Sequence, residues 1–269
     1  MSAKLSGKSA WISGGASGMG EATANLFADE GAAVVIVDIQ RELGEALAKR
    51  INDRGGRAIF VPADVRSEAQ VAASVDAAVA AFGGLHIMVN CAGIVHVKLL
   101  HEYTEAEWDE LMGVNVKSIF FSIKHGLAHL TKNPRSYMVN IGSIGSFIGQ
   151  GLTPAYTTSK GAVLQISRSI ALDYAALGLR CNCVCPGITD TPMLRYHMSK
   201  APDPEAALRE RLRRVPMGTV LSSHDIAKAV LYLSYEESSG VTGASLVVDG
   251  GYLAAAEWQS PPHTAFMDT

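Results

Sequence analysis

The 269-residue sequence lacks several features that would assign it to a particular class of protein. It has no uninterrupted apolar run of about 18 residues, which would indicate a membrane-spanning helix. Its net charge is only −3, with acidic and basic residues mixed along the chain, so we expect neither nucleic-acid nor membrane partners. The N-terminus continues from Lys4 and Lys8 into Trp11 without the apolar segment of a secretion signal. We therefore expect a cytoplasmic protein.

Cysteine is also scarce, with four residues in the chain: Cys91, Cys181, Cys183 and Cys185. The last three are spaced C-x-C-x-C, which is tighter than the C-x-x-C pairs typical of zinc sites. On a strand such side chains share one face, so we interpret them as small buried hydrophobic residues. Free thiols are typical of a reducing cytoplasm. No metal site is predicted.

Two kinds of segment alternate along the chain, and 48% of all residues are hydrophobic. Short apolar, β-branched segments predict strands buried on both faces. They span residues 9–13, 33–38, 58–62, 86–90, 137–141, 179–185 and 245–249. Longer segments rich in Ala and Leu have a helical period. They span about 18–30, 41–54, 67–82, 104–130, 155–177 and 223–235.

Several helix ends carry local signals. Ser67 with Gln70, and Thr104 with Glu107, have the spacing of capping boxes. Glycines at 31, 55 and 178 are suited to ending helices. Repeated β-α-β units of this length predict an α/β fold, a three-layer, doubly wound parallel sheet of about seven strands with helices on both faces.

We expect one domain over residues 1–269, because no linker or repeat interrupts this alternation. Two segments depart from it: residues 188–220 and residues 252–269. The first is long enough to act as a substrate lid, and the second is a C-terminal tail after the last strand.

The first predicted strand leads into a glycine-rich turn and then a helix. Glycines there permit a tight turn and a close approach of the backbone to a pyrophosphate, which the helix N-terminus also attracts. This position, at the first strand-to-helix turn, predicts a dinucleotide site. The turn reads Ser13-Gly14-Gly15-Ala16-Ser17-Gly18-Met19-Gly20.

The second strand ends at Asp38, eighteen residues after Gly20. A carboxylate at this point can accept hydrogen bonds from the adenosine ribose and repels a 2′-phosphate, which favours NAD. Two alternatives stay open at this stage: Asp38 caps a loop, or the nearby Arg41 permits NADP.

Tyr156 and Lys160 lie four residues apart at the start of a predicted helix and so project from one face. A lysine cation one turn away favours the phenolate form of a tyrosine, which suits a proton shuttle for an alcohol oxygen. Ser143 follows the fifth strand, at the sheet edge where parallel sheets bind ligands. Asn115 is a polar residue within a helical segment that disfavours it. A packed tyrosine beside an exposed lysine is the structural alternative.

In this combination the motifs resemble those of the short-chain dehydrogenase/reductase family, and the likeness extends from Leu5 to Tyr252. The family's opening threonine is Ser13 here, and Cys91 replaces the second asparagine of its Asn-Asn-Ala-Gly motif. The resemblance implies a Rossmann fold and NAD as cofactor. The cofactor-binding residues that it implies are Gly14, Ser17, Gly18, Met19, Gly20, Asp38, Ile39, Asp64, Val65, Asn90, Ala92, Gly93, Tyr156, Lys160, Pro186, Gly187, Ile188, Thr189 and Thr191.

The resemblance also implies the chemistry, a hydride transfer between NAD(H) and a secondary alcohol or ketone. Tyr156 is expected to be the acid/base, Ser143 to steady the substrate oxygen, Lys160 to favour the phenolate and hold the ribose, and Asn115 to position a water. A homotetramer paired through the two long helices is implied as well. The alternative function is a catalytically idle nucleotide-binding scaffold or a redox sensor.

The substrate is expected to be a sugar, a polyol or another small hydroxylated molecule, because the residues predicted around it are mixed in polarity. Those residues are His96, Ser146, Gln150, Arg195 and Tyr196. The lid arginines at 195, 209, 211, 213 and 214 allow two interpretations. They form a solvated surface, or one or two of them bind an anionic substrate group. Arg195, four residues past Thr191, is the preferred candidate.

Overall fold

A computed structural model of the chain describes residues 3–254, so positions 255–269 of the predicted tail lie outside the described residues. Seven parallel strands form one sheet in this part of the chain, in the order β3-β2-β1-β4-β5-β6-β7. The order reverses between β1 and β4, which is where doubly wound sheets bind ligands. The strands are β1 (Ser9–Ser13), β2 (Ala33–Asp38), β3 (Arg57–Pro62), β4 (Ile87–Asn90), β5 (Ser136–Ile141), β6 (Leu179–Pro186) and β7 (Ser245–Val248).

Helices cover both faces of this sheet, which confirms the predicted three-layer α/β architecture. They are α1 (Gly18–Asp29), α2 (Arg41–Asp53), α3 (Glu68–Phe82), α4 (Glu105–Met112), α5 (Ser118–Leu130), α6 (Pro154–Tyr174), α7 (Pro192–Met198), α8 (Pro204–Leu212) and α9 (Ser223–Tyr232). In the core under α1, α2 and α9, the sheet contributes Ala10 and Ile12 from β1. Trp11, between them, faces α3, α5 and α6, as the alternation of strand side chains requires.

The three cysteines of β6 lie on that second face and are fully buried. The Sγ atoms of Cys183 and Cys185 are 3.7 Å apart, and all four cysteines of the chain are free thiols. Their role as small core residues was the prediction from the C-x-C-x-C spacing, and the packing confirms it.

The predicted helix at 104–130 is confirmed, because the chain is helical from Glu105 to Leu130. Its middle is a π-helical turn over Gly113–Lys117, which lies between α4 and α5 and which the sequence did not predict. The extra residue of a π turn re-aims the side chains around it, and such turns are frequent at functional sites. Here the turn contains Asn115.

The two predicted capping boxes have different outcomes. The Thr104 hydroxyl accepts the Glu107 N–H at 3.2 Å, and the Glu107 carboxylate accepts the Thr104 N–H at 2.9 Å. Ser67 begins α3 but makes no side-chain cap. Its expected partner, Gln70, accepts the N–H of Asp64 at 2.9 Å instead, so the second box was a wrong prediction.

The segment 188–220 contains α7 and α8 and returns to its starting point. The Leu221 N–H donates to the carbonyl of Ile188 at 2.9 Å, and the Asp190 N–H donates to the carbonyl of Leu221 at 2.8 Å. Met217 N–H donates to the carbonyl of Gly250, after β7. These bonds place the segment over the carboxyl end of the sheet. Between residues 3 and 254, no helix has the length and apolarity needed to cross a membrane.

Candidate active site

A cleft of about 550 Å³ opens at the carboxyl ends of β1, β2 and β4. Its position at the reversal of strand order is the one that dinucleotides occupy in this architecture. Eleven of the predicted cofactor residues line it, namely Gly14, Ser17, Gly18, Met19, Asp38, Ile39, Asp64, Val65, Ala92, Gly93 and Thr191.

The glycines of the first turn are required by close backbone contacts. A Cβ atom on Gly20 would lie 2.0 Å from the carbonyl oxygen of Gly14, and one on Gly14 would lie 2.7 Å from the backbone of Ala92. Gly18 has a φ of +54°, in the left-handed region that favours glycine. The turn therefore brings bare backbone and the N-terminus of α1 to the floor of the cleft, a cradle that fits a pyrophosphate.

Asp38 ends β2 with its carboxylate buried against this turn. Its Oδ2 accepts the Ala16 N–H at 3.1 Å, and its Oδ1 accepts the Gln40 N–H at 3.0 Å. The nearest arginine in sequence, Arg41, is paired with Glu45 on the surface at 3.2 Å. The local geometry thus presents a fixed negative charge and no cation from Arg41.

Arg66 lies at the Asp64 end of the cleft and was not among the residues predicted from the sequence. Arg66 lines the cleft and forms ion pairs with Asp64 at 2.7 Å and with Glu110 at 2.9 Å. Its hydrogen bonds lower the pKa of Asp64 below the ordinary aspartate value, so that carboxylate stays ionised. The spacing of Asp64 and Arg66 was visible in the sequence, but the contact with Glu110 comes from α4.

Asn90 does not line the cleft, although it is among the predicted cofactor residues. Its side-chain amide donates to Asn140 Oδ1 at 2.7 Å, and the amide of Asn140 donates to Ser167 Oγ at 2.9 Å. This buried chain of hydrogen bonds ties β4 to β5 and to α6. Asn90 therefore supports the sheet beneath the site.

A second cleft of about 320 Å³ continues from the first and shares Gly93 and Met193 with it. Ser143, Tyr156 and Lys160 all line this second cleft. The cofactor segment after β6 lines it as well, through Pro186, Gly187, Ile188, Thr189 and Thr191. The structure thus brings three of the four predicted catalytic residues together beside the cleft that the glycine turn lines.

Lys160 is buried, and its Nζ lies 5.5 Å from the ring centre of Tyr156. It donates to the carbonyl of Ile141 at 2.8 Å, and no described acidic side chain forms an ion pair with it. A Cβ atom on Gly93 would lie 3.6 Å from Nζ, so the cation reaches the point where the two clefts meet. This arrangement places a buried cation beside the phenol ring of Tyr156.

Asn115 joins the π turn to the loop after β4. Its Oδ1 accepts the Ile94 N–H at 2.8 Å, and its Nδ2 donates to the Ile94 carbonyl at 3.0 Å and to Ser159 Oγ at 2.9 Å. The side chain is 2% exposed. Asn115 thus fixes the loop that carries Gly93, where an added Cβ atom would lie 3.5 Å from Asn115 Oδ1 and 3.6 Å from Lys160 Nζ.

Ser143 is held beside Tyr156 by the turn after β5. Its Oγ accepts the Gly145 N–H at 3.0 Å, and its own N–H donates to Ser146 Oγ at 3.2 Å. Ser146 in turn donates to the carbonyl of Lys160 at 2.7 Å. Ser146, expected at the substrate, thus stands behind the reacting groups and supports them.

The other predicted substrate residues separate into three places. Gln150 lines the cleft of Tyr156, whereas His96 and Tyr196 line the cofactor cleft. Arg195 lies outside both. It is exposed and paired with Asp190 at 2.8 Å in a separate groove, so its predicted position near the nicotinamide was wrong. Arg195 projects from a different side of α7 than Met193 and His197, which do line the cleft of Tyr156.

The segment 188–220 contributes two arginines to the cleft of Tyr156. Arg211 and Arg214 line it together with His197 and Tyr252. Burial and the nearby Arg211 lower the pKa of His197 to about 4, so this histidine is neutral at pH 7. Among the described residues, no group of three His, Cys, Asp or Glu side chains is arranged to hold a metal ion.

Comparison with known proteins agrees with this geometry. A family model described as enoyl-(acyl carrier protein) reductase matches residues 14–253. A cis-4-hydroxycyclohexanecarboxylate dehydrogenase of Sinomonas cyclohexanicum is 38% identical over 244 residues, which cover 90% of this chain and 95% of the relative. The chain belongs to the short-chain dehydrogenase/reductase family.

Other members of the short-chain dehydrogenase/reductase family match over similar lengths. A 2-(S)-hydroxypropyl-CoM dehydrogenase 3 of Xanthobacter autotrophicus is 36% identical, with 94% of this chain and 100% of the relative covered. Among solved structures, levodione reductase superposes with a TM-score of 0.90 at 30% identity and covers 94% of this chain and 100% of its own. The resemblance inferred from the sequence motifs is therefore confirmed as family membership.

Proposed function

We propose that the protein is an NAD-dependent dehydrogenase that interconverts a small secondary alcohol and its ketone, with Tyr156 as the acid/base. The observation that carries this proposal is the meeting of two clefts. The reacting groups Ser143, Tyr156 and Lys160 line one, and the glycine turn and Asp38 line the other. Gly93 lines both clefts, so a dinucleotide held by the first cleft would be within reach of the groups in the second.

The bound nicotinamide would supply the hydride acceptor or donor. The residues of the chain do the rest. Tyr156 takes the proton from the alcohol oxygen in the oxidation and returns it in the reduction. Overall, the alcohol and NAD+ would give the ketone, NADH and one proton. Lys160 provides a cation beside the phenol ring, and the Ser143 hydroxyl donates to the substrate oxygen as charge develops there. Asn115 holds the loop that carries Gly93, which lines both clefts. We propose that Asn115 also binds a water molecule that exchanges the proton with solvent.

The lining of the catalytic cleft supports a small, hydroxylated substrate. Gln150 and Thr153 offer hydrogen bonds, beside apolar Ile144 and Leu194. Relatives that match nearly the full chain are named for a hydroxycyclohexanecarboxylate and for a hydroxypropyl compound. We propose a substrate of that size, such as a polyol or a cyclic hydroxy acid.

The deciding experiment compares wild type with Tyr156→Phe in a screen of secondary alcohols with NAD+. We expect Tyr156→Phe to lose nearly all turnover, because only the proton-transferring hydroxyl is removed, while NADH affinity by fluorescence titration stays within about twofold. Thr158→Ala, an exposed residue two positions along α6, is the matched control and should keep activity. Substantial turnover by Tyr156→Phe would refute the mechanism, and a wild type inactive on every alcohol would favour the idle scaffold or redox sensor.

We also propose the homotetramer that is typical of the family. Support comes from apolar side chains left exposed on the two helices expected to pair, Phe120 on α5 at 48% and Leu172 on α6 at 83%. Helix α5 also buries Ile119 and Phe121 within the subunit, so only part of the apolar surface predicted for this helix is available for association. Light scattering at micromolar concentration tests this, and a monomer would contradict it.

A further inference from the structure

The catalytic cleft carries an unusual balance of charge. Its lining includes three cations, Lys160, Arg211 and Arg214, and no aspartate or glutamate among residues 3–254. Lys160 is engaged with a backbone carbonyl and belongs to the reacting groups. The two arginines are not needed for proton transfer, so their position requires another explanation.

Other lid arginines are paired with carboxylates at the surface. Arg195 binds Asp190, Arg209 binds Glu205 at 3.5 Å, and Arg213 binds Glu210 at 3.2 Å. These three fit the interpretation of a solvated, charged helix face. Arg211 and Arg214 form no such pair with any described residue.

The two arginines of the cleft rest on uncharged partners instead. The guanidinium of Arg211 lies 3.0 Å from Nε2 and 3.5 Å from Nδ1 of His197, and that of Arg214 lies 4.8 Å from the ring centre of Tyr252. Stacking on the Tyr252 ring orients the guanidinium of Arg214 while leaving its N–H groups available. Arg211 instead directs N–H groups at the ring nitrogens of His197, and its remaining N–H donors are available to a ligand, because a guanidinium carries five. Burial lowers the pKa of Arg211, as expected for a cation that has lost water without gaining a protein carboxylate. The site is thus built to receive an anion from outside.

We propose that Arg211 and Arg214 form an anion subsite, so that the substrate is a small secondary alcohol or ketone carrying a carboxylate or a sulfonate. This inference rests on the proposed function, since it assigns the far end of the substrate that Tyr156 acts on. The guanidinium groups bind the anion in charge-assisted hydrogen bonds, and the anion itself is unchanged by the reaction. Arginine is suited to both anions because its N–H groups match two oxygens at once.

The experiment compares substrates that differ only in charge. Turnover with NAD+ is measured for 4-hydroxycyclohexanecarboxylate against 4-hydroxycyclohexanecarboxamide, and for 3-hydroxybutane-1-sulfonate against 3-hydroxybutane-1-sulfonamide. We expect kcat/KM to favour an anionic member of these pairs by at least about tenfold, the effect of about 1.4 kcal/mol. Arg211→Gln and Arg214→Gln should each lower kcat/KM for the anionic substrate by about 10–100-fold, which is typical of losing one charge-assisted hydrogen bond. For the neutral substrate of the same pair, kcat/KM should stay within about threefold of the wild-type value. The exposed Arg209→Gln and Arg213→Gln on the same segment are matched controls and should change neither.

A binding measurement separates this inference from the proposed reaction. Cyclohexanecarboxylate and cyclohexanesulfonate lack the hydroxyl and cannot be turned over, so calorimetry on the NADH-loaded protein reports the subsite alone. Binding of either anion that is lost in Arg211→Gln, partly restored in Arg211→Lys and kept in Tyr156→Phe supports the subsite, even if the oxidation of alcohols fails. Absence of binding of both anions to wild type, equal turnover of charged and neutral substrates, or a parallel loss for both in the arginine variants would overturn it.

Discussion

The proposed preference for NAD over NADP has a magnitude that can be worked out roughly from the surroundings of Asp38. Its carboxylate is buried and held by the N–H groups of Ala16 and Gln40, so it cannot easily turn away from a ligand. A 2′-phosphate about 4 Å from it would meet a repulsion of about 4 kcal/mol per pair of charges at an effective dielectric constant of 20. That energy corresponds to roughly 10²–10³-fold in kcat/KM. We therefore expect NAD to be preferred over NADP by at least about 100-fold.

The test is Asp38→Asn, which keeps the shape and one acceptor oxygen but removes the charge. The ratio of kcat/KM for the two cofactors, measured by the absorbance of the reduced nicotinamide, should fall by about 10–100-fold, mainly through a gain with NADP. The control is Glu42→Gln, which also removes one negative charge but at an exposed position on α2. It should leave the ratio of kcat/KM for the two cofactors unaltered. A wild type that uses both cofactors equally, or an Asp38→Asn ratio equal to that of wild type, would refute the role of this carboxylate.

Two further predictions concern the turn and the lid. Gly20→Ala places a Cβ atom 2.0 Å from the Gly14 carbonyl oxygen, so we expect the free energy of unfolding to fall by about 1–3 kcal/mol and NADH to bind at least about tenfold more weakly. Gly161→Ala, whose Cβ atom meets open space within α6, is the control and should leave stability unchanged or increase it. Equal behaviour of the two variants would contradict this prediction. The pKa of His197 lies at about 4, against 6.5 in the unfolded chain, so between these values the unfolded state binds more protons. The free energy of unfolding should therefore fall as pH drops from 6.5 to 4, by up to about 3 kcal/mol from this group. Urea titrations of wild type and His197→Gln at several pH values check the sign, and equal slopes for both proteins would rule it out.

The sequence predicts the sheet well because its signals are local. Buried parallel strands such as β2 are continuous apolar runs, and the glycine turn and the Tyr156–Lys160 spacing each fit within one or two helical turns. The two faces of the sheet follow from strand alternation, as at Ala10, Trp11 and Ile12.

What the sequence could not supply depends on contacts between distant segments. The π turn around Asn115 replaces a regular helix, and a polar residue in an apolar helical run was its only local sign. Arg195 and Arg211 look alike in sequence, and only the return of the lid to Gly250 brings one to the cleft while Asp190 holds the other at the surface. Ser146 was placed at the substrate by proximity to Ser143, but its hydroxyl is directed to the backbone of Lys160.

The hydrogen bonds that join Ile188 and Asp190 to Leu221 give the lid fixed ends a short distance apart. The free energy of closing a loop changes only slowly with its length, so the segment between these ends can be lengthened, shortened or exchanged at little thermodynamic cost. The residues proposed to hold the cofactor and to move the proton lie outside it, except for Ile188, Thr189 and Thr191 near its first end. We therefore expect substrate choice to evolve by replacement of this one segment while the reaction stays the same. Grafting a different segment between Asp190 and Leu221 is then a direct route to engineering new specificities.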